Sequence, residues 1–458
     1  MNELRPVGAP PAGQALAPVR QFLLLCDLSS RTAATVSDHA LALRDASRHR
    51  ITPLSFMGEF DPAIDLNRFD GLIIHYSLIA CLDTFIGPHT RNAIRAFRGF
   101  KIAFVQDDYR FVNATNAALA DLGVNAVFGL APARIIDQVY LPSRLPGVIR
   151  QTVLAGYVPN GLTNRLVPRY EDRPIDVGYR ARKVPQWLGA FSQEKWMISA
   201  RFEKDAPRYG LKCDLSTREE DRIYGEEWIS FLTSCKAMLG TESGASVCDY
   251  TGEIQKNVEE HLLRDPDASF ERLRDLYFKE ADGQVMLNVI SPRCFEAAAL
   301  RTLMILYEGA YSGRLEPWRH YVPLKKDHSN MAEVVSVLRD PNRAGAIIDR
   351  AHREVALNPE NSFTAMVKQV DAVIDANFAP AMASRLPPYE DATMAAIQRR
   401  MRAAERWRIR RQRAMAPVLR AIAGGIGMLP ASARERVRRP LRAAWRTMNR
   451  VKSPPTTP

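Results

Sequence analysis

The sequence predicts an α/β protein with two tandem doubly wound domains and a basic helical C-terminal tail. Apolar runs alternate with helical patterns over the first 165 residues, and the alternation restarts after a polar, Pro-bounded segment at 169–174. This pattern indicates parallel βαβ units. The length, 458 residues, also exceeds one ordinary domain. We predict a disordered leader at 1–19, domains at 20–168 and 169–380, and a tail at 381–458.

The first series of elements is well separated by polar segments. Strands are predicted at residues 21–26, 71–75, 101–105 and 126–129, and helices at residues 33–46, 90–97 and 114–122.

The second series begins in the segment RYEDRPIDVGYRARK. Strands are predicted at 175–179, 212–215, 236–240, 285–290 and 303–307, and helices at 194–209, 226–233 and 331–338. A charged insertion at 257–282 is predicted to be helical. Helical residues 341–377 are expected to close the second domain.

Cysteine usage and hydropathy indicate the cellular compartment of the protein. The six cysteines are scattered without a CxxC pair, which argues for a reducing compartment and against structural zinc. The first residues lack the apolar core of a signal peptide, and no apolar run is long enough to span a bilayer. We therefore expect a cytoplasmic protein.

The positive charge is concentrated at the C-terminus. From Asp391 onward there are 16 Arg and 1 Lys against 3 acidic residues, whereas the preceding chain is nearly neutral. Apolar residues at helical spacing between Val437 and Val451 indicate a basic amphipathic helix, which would bind an anionic membrane surface. A solvated helix, a protein-docking segment and RNA binding are the alternatives. The neutral body argues against nucleic acid as a partner.

Polar side chains follow two strands of the first series. His75 ends one strand, and Asp107, Asp108 and Arg110 follow another. Ligands bind beyond the carboxyl ends of parallel strands, so substrate contact or general-base catalysis is predicted here. His75 fits equally well as a satisfied histidine at the edge of the core.

The second half carries a recognisable pattern. The segment PRCFEAAALRTLMILYEGAYSG follows a predicted strand and precedes HYVPLKKDHSNMAEVVSVLRD. It resembles the nucleotide-sugar-binding domain of GT-B glycosyltransferases, which have two Rossmann-like domains facing a cleft. The resemblance covers residues 170–375 in element order, and residues 20–160 more loosely. It implies transfer of a sugar from a nucleotide-sugar donor bound by the second domain to an acceptor bound by the first.

The resemblance also implies roles for acidic residues. Glu296, placed in the first turn of the predicted helix, matches the Glu that binds the donor ribose hydroxyls. A surface Glu at a helix start is the alternative. Retaining members have a second Glu eight positions earlier, where this chain has Asn288. We expect Glu242, in a small-residue loop after a strand, to contact the sugar instead. A helix N-cap region with Glu242 exposed is an equal alternative.

Basic residues match the family's diphosphate contacts. Arg180, Arg182 and Lys195 occupy the matching positions, and Arg293 would add a cation at the helix start. Solvated surface charge is the alternative for each. Because cations can offset the leaving-group charge, no metal or other cofactor is expected. The resemblance leans towards a retaining mechanism, and one of the first-domain carboxylates would act as base in an inverting one.

Three functions remain open at this stage. The leading hypothesis is a hexosyltransferase of cell-envelope polysaccharide synthesis, with a glycan or lipid-linked acceptor and a location at the inner face of the membrane. The second is an inactive GT-B-like binding or scaffold protein, which Asn288 favours. The third is a nucleic-acid-binding protein that acts through its tail.

Overall fold

The computed structural model describes residues 18–29, 34–404, 406–407 and 410. The predicted leader up to residue 17 and the predicted amphipathic helix between Val437 and Val451 lie outside the described residues. The chain divides into two compact units. The first holds residues 65–388 and the chain before residue 60, and the second holds Phe60–Ile64 and the chain from residue 389 onward.

The first unit contains two parallel sheets. The first sheet has six strands in the order β2-β1-β3-β4-β5-β6. Its strands are β1 (Gln21–Cys26), β2 (Arg50–Ser55), β3 (Gly71–Ile74), β4 (Phe100–Phe104), β5 (Ala126–Gly129) and β6 (Ile149–Thr152). Its helices are α1 (Ala34–Ala46), α2 (Pro88–Ala96), α3 (Val112–Leu122) and α4 (Ile136–Val139).

The second sheet has five parallel strands in the order β13-β12-β9-β7-β8. These strands are β7 (Ile175–Arg180), β8 (Cys213–Ser216), β9 (Cys235–Gly240), β12 (Leu303–Tyr307) and β13 (Val322–Leu324). A separate antiparallel hairpin joins β10 (Ser243–Ala245) to β11 (Leu287–Val289). The helices up to the last strand are α5 (Ala190–Asp205), α6 (Gly225–Ser234), α7 (Glu253–Arg264), α8 (Phe270–Tyr277) and α9 (Pro292–Ala299).

Among the described residues before the tail, three α-helices follow the last strand: α10 (Met331–Leu338), α11 (Pro341–Ala351) and α12 (Phe363–Asn377). α10 and α11 pack on the second sheet, through residues such as Val334 and Ile347. The expectation that α12 also closes the second domain is wrong. Its apolar face, including Phe363 and Met366, belongs to the core of the first sheet, so the chain returns to its first domain.

The predicted insertion, residues 257–282, contains most of α7 and all of α8. These helices enclose a small core of their own, which includes Val258, Leu273 and Phe278. Trp187 and Leu188, which precede α5, complete that core. The insertion therefore packs against the second domain through apolar contacts as well as through the β10–β11 hairpin.

Part of the predicted tail is described. Residues 391–404 are helical. Within the second unit, the Tyr389 hydroxyl donates to the carbonyl of Ala63 at 3.2 Å, and Arg400 pairs with Asp61 at 3.0 Å. No helix among the described residues is long and apolar enough to cross a membrane.

Candidate functional site

The predicted basic residues lie near the carboxyl edge of the second sheet, but Arg180 is paired within the domain and Lys195 is not. The guanidinium of Arg180, at the end of β7, pairs with Asp214 of the neighbouring β8 at 2.8 Å. It also lies 4.3 Å from the ring centroid of Phe231. Arg180 is therefore held inside the domain, and its backbone carbonyl accepts a hydrogen bond from Arg293 Nη1 at 2.6 Å.

Lys195 is an unpaired cation at this edge. Among the described residues, no carboxylate or carbonyl accepts a hydrogen bond from its ammonium. The pKa of Lys195 is lowered to about 8, mainly by burial and also by the charges of Arg293 and Arg182, whereas Asp107 acts in the opposite direction. The three cations are thus near enough to repel one another, and a diphosphate would relieve this repulsion.

Glu296 faces the gap between the two sheets. It is the fifth residue of α9, beyond the first turn in which the sequence placed it. Trp228 Nε1 donates to Glu296 Oε2 at 2.8 Å, and Oε1 accepts no hydrogen bond from a described residue. Burial raises the pKa of Glu296, and Asp38 of the first domain raises it further, against the effects of Trp228 and Arg293. One carboxylate oxygen is thus left to accept from a ligand hydroxyl.

Glu242 lies buried directly beside Asn288. Although 46 positions separate them, Asn288 Nδ2 donates to Glu242 Oε1 at 3.1 Å and approaches Oε2 at 3.3 Å. The pairing of Gly244 with Asn288 in the β10–β11 hairpin creates this contact. The backbone N–H of Tyr311 also donates to Oε1, at 2.7 Å. Glu242 therefore contacts the side chain at position 288, and the alternative of an exposed Glu242 is wrong, since the residue is buried.

The loop after β12 is shaped around this carboxylate. A Cβ atom on Gly309 would lie 2.6 Å from Glu242 Oε2, so a larger residue at this position would have to displace the carboxylate. Tyr311 and Ser312 then adopt left-handed backbone angles, with φ of 44° and 53°. Such angles are strained for residues other than glycine, and the hydrogen bond from Tyr311 N to Glu242 helps to hold them. Glu242 thus has a structural function besides any contact with a sugar.

In the first domain, His75 is enclosed. It is fully buried. The backbone N–H of Ser77 donates to His75 Nδ1 at 3.1 Å, so Nε2 carries the proton and donates to His39 Nδ1 at 3.0 Å. Burial and the neighbouring His39 lower the pKa of His75. This arrangement favours the satisfied core-edge histidine over a catalytic residue.

Asp108 is also enclosed. It is buried, and Oδ2 accepts a hydrogen bond from the backbone N–H of Ala131. Burial raises the pKa of Asp108 to about 7 against the opposing effects of Ala131 and Tyr140. The buried position and the hydrogen bond to Ala131 favour a structural role for Asp108 over the catalytic one that the sequence suggested, while Oδ1 accepts no hydrogen bond from a described residue.

The rest of the QDDYR segment meets the insertion. Asp249 N donates to the carbonyl of Tyr109 at 2.9 Å, and Asn113 N donates to the carbonyl of Tyr250 at 2.9 Å. These backbone hydrogen bonds join the chain entering α7 to the first domain. The segment before the insertion therefore bridges the two domains.

Arg110 contacts the insertion, whereas Asp107 is exposed to solvent. Arg110 Nε donates to Gln255 Oε1 of α7 at 2.9 Å, so it serves the insertion. Asp107 is exposed and accepts a hydrogen bond from the Tyr109 hydroxyl at 3.0 Å. Of the carboxylates predicted in the first domain, Asp107 is the one that a substrate could reach.

Sequence analysis missed Trp228, Tyr311 and Asp38. Trp228 lies in a helix with no motif, Tyr311 contributes its backbone N–H, and Asp38 acts across the gap between the sheets. These contacts depend on tertiary structure, and no spacing in the sequence indicates them.

Comparison with known proteins identifies the fold. No family model matches the sequence, and no curated protein matches it. Among solved structures, an alpha-glucosyltransferase in complex with UDP and a 13-mer DNA containing a HMU base aligns over 79% of this chain and 100% of its own, at 9% identity and a TM-score of 0.50. The fold is GT-B.

Two further structures align less closely. The DNA-modifying enzyme beta-glucosyltransferase aligns over 78% of this chain and 100% of its own, at 11% identity and a TM-score of 0.45. Anabaena Alr3699/HepE in complex with UDP aligns over 78% and 100%, at 9% identity and a TM-score of 0.40.

Proposed function

We propose that the protein is a glycosyltransferase that moves a hexose from a nucleotide-sugar donor to a glycan or lipid-linked acceptor in cell-envelope polysaccharide synthesis. The observation that carries the proposal is the group at the edge of the second sheet. Lys195 is an unpaired cation among the described residues, Arg293 lies beside it, and Glu296 keeps one free oxygen. A nucleoside diphosphate needs both kinds of contact.

The donor would be held mainly by the second domain. Lys195 and Arg293 would bind the diphosphate and offset the negative charge that develops on it as the leaving group. Glu296 would accept from the ribose hydroxyls, and Glu242 would orient the sugar. Arg182 is exposed and would add long-range attraction. UDP is the first nucleotide to test, because the structures that align with the chain include complexes with UDP.

The acceptor would enter from the first domain. Asp107 is exposed and would serve as base if the reaction inverts configuration. A retaining reaction, which the family resemblance favours, needs no strong protein base. The basic tail would hold the enzyme at an anionic membrane surface where a lipid-linked acceptor resides.

An inactive GT-B-like binding protein is the second candidate. The observation that favours it is the structural use of Glu242, whose carboxylate already accepts from Tyr311 N and Asn288 Nδ2. Such a protein would bind the nucleotide and would not turn over the donor.

The test compares the full-length protein with Glu296→Ala and with the control Glu333→Ala. Glu333 is an exposed carboxylate at the start of α10 in the same domain. UDP affinity is measured by calorimetry, and slow hydrolysis of a panel of nucleotide sugars by UDP release. We expect Glu296→Ala to weaken UDP binding at least about tenfold, or about 1.4 kcal/mol, and Glu333→Ala to behave as wild type.

The outcomes separate the candidates. Nucleotide binding with donor hydrolysis supports the transferase, whereas binding without turnover of any donor supports the inactive binding protein. A folded wild-type protein that binds no nucleotide contradicts both.

A further inference from the structure

A side chain of the first domain reaches the Glu242 region. Arg134 lies in the loop between β5 and α4, and its Nη2 donates to Asn288 Oδ1 at 2.7 Å. The same nitrogen approaches the carbonyl of Met286 at 3.3 Å. Both acceptors belong to the hairpin strand β11 or its approach, on the side of the second domain. Arg134 therefore makes a contact between the two domains at the site itself.

Asn288 links Arg134 to Glu242 through hydrogen bonds at both ends of its side chain. Its oxygen accepts from Arg134, and its amide nitrogen donates to both oxygens of Glu242, at 3.1 and 3.3 Å. A carboxamide can accept at one end and donate at the other. An ionised carboxylate at position 288 could accept from Arg134 but would repel Glu242. Asn288, which replaces the family's Glu, therefore has a suitable partner at each end of its side chain: Arg134 at its oxygen and Glu242 at its nitrogen.

Without Asn288, the Glu242 carboxylate would be free to rotate about its hydrogen bond with Tyr311 N. Tyr311 N holds Oε1 at 2.7 Å, and rotation of the carboxylate about that contact would swing Oε2. The bifurcated hydrogen bonds from Asn288 fix the rotation, and Gly309 leaves the room that Oε2 needs. Arg134 fixes the plane of the Asn288 amide, and so it acts on Glu242 through Asn288.

We infer that Arg134 and Asn288 are positioning residues, which orient the Glu242 carboxylate towards the donor sugar when the first domain lies against the second. The inference rests on the proposed transferase function. It assigns to the first domain a contribution to the donor site through Arg134. The chemistry that Arg134 affects is the sugar transfer, and nucleotide binding does not depend on it.

The experiment uses full-length protein and follows donor hydrolysis and UDP affinity in Arg134→Ala, Arg134→Lys, Asn288→Ala, Asn288→Asp and the double variant Arg134→Ala/Asn288→Ala. Arg144→Ala is the control, because Arg144 is an exposed arginine of the same domain. We expect Arg134→Ala to lower kcat about tenfold while the Kd for UDP stays within about twofold. Arg134→Lys should keep part of the rate, since lysine can donate one of the two contacts.

The double variant and Asn288→Asp decide between a relay and an independent effect. A relay requires the double variant to be no slower than Asn288→Ala, because the two residues act through one path. Asn288→Asp should be at least as slow as Asn288→Ala, because it repels Glu242.

Three results would overturn the inference. The first is a wild-type kcat in Arg134→Ala, and the second is a loss that appears in UDP affinity or thermal stability instead of kcat. The third is a double variant whose losses add. Failure of the proposed function looks different, because wild type and Arg144→Ala would then also turn over no donor, and that result overturns both proposals.

Discussion

Both sheets end in polar residues at their carboxyl edges, but the two edges use them in opposite ways. At the first sheet, His75 and Asp108 are buried and bonded to neighbours in the same domain. At the second sheet, Lys195 has no ion-pair partner among the described residues, and Glu296 keeps one oxygen free. A run of polar residues after a strand therefore marks the edge of a sheet. An unpaired group alone does not mark a binding side, because Asp108 Oδ1 is also buried without a hydrogen-bond partner among the described residues; the second edge differs in bringing an unpaired cation together with a free carboxylate oxygen.

The first prediction concerns Asp108 at the first sheet, whose loss should lower folding stability and leave UDP binding at the second sheet unchanged. Asp108→Ala should lower the free energy of unfolding by about 2 to 3 kcal/mol, because the buried N–H of Ala131 loses its acceptor. UDP affinity of the folded protein should stay within twofold. Urea unfolding and calorimetry measure the two quantities. An Asp108→Ala protein of wild-type stability and weakened UDP binding would reverse the assignment of the two edges.

The second prediction concerns the pH dependence of UDP binding at the second sheet. The pKa of Lys195 is lowered to about 8, and a diphosphate would bind its charged form. UDP affinity should therefore be nearly full at about pH 7, fall about twofold by pH 8 and about tenfold by pH 9, as Lys195 loses its proton. Lys195→Arg should bind without that loss, because arginine stays charged. The control is Lys204→Met, at an exposed lysine of the same helix, which should keep the wild-type pH profile.

A flat pH profile in the wild-type protein would show that Lys195 does not contact the diphosphate. Lys195→Met separates this case from a compensating change elsewhere, because it should bind weakly at every pH if Lys195 is the contact.

The smallest effect concerns Arg182. Its side chain is exposed, so salt screens its attraction for a diphosphate. Arg182→Ala should weaken UDP binding no more than about threefold at low salt and hardly at all at 0.5 M salt. Titrations at the two salt concentrations measure the difference. A loss that persists at high salt would place Arg182 in direct contact with the nucleotide.

In the first sheet, the central strands could be predicted from sequence, but the two edge strands could not. Strands β1, β3, β4 and β5 are short apolar runs buried on both faces, which is the pattern of a parallel sheet interior. No such apolar run marks β2 or β6. Both lie at the edges of the sheet, where Pro53 and the polar residues of Ile149–Thr152 are tolerated.

Residue types at the site were easier to predict than their partners. The family resemblance indicates Lys195, Arg293 and Glu296 as donor contacts, and in the structure Arg293 donates to the carbonyl of Arg180 at the end of β7. The sequence could not show that Arg180 pairs with Asp214 on the next strand or that His75 bonds His39. Those partners lie 34 and 36 positions away, and only the packing of elements brings them together. The roles of the site residues in binding and catalysis stay predictions.

The return of α12 to the first sheet constrains the order in which the protein is made. The core around Phe22 and Phe100 is completed by Phe363 and Met366, which a ribosome adds more than two hundred residues later. Domains generally fold as units during synthesis, N-terminal first, but here the first one must wait with an apolar face uncovered. A nascent chain released before residue 377 would therefore expose that face and be a substrate for chaperones. Expression of residues 20–168 alone should yield an aggregating fragment, whereas a chain truncated after residue 388 keeps α12 and should cover that apolar face.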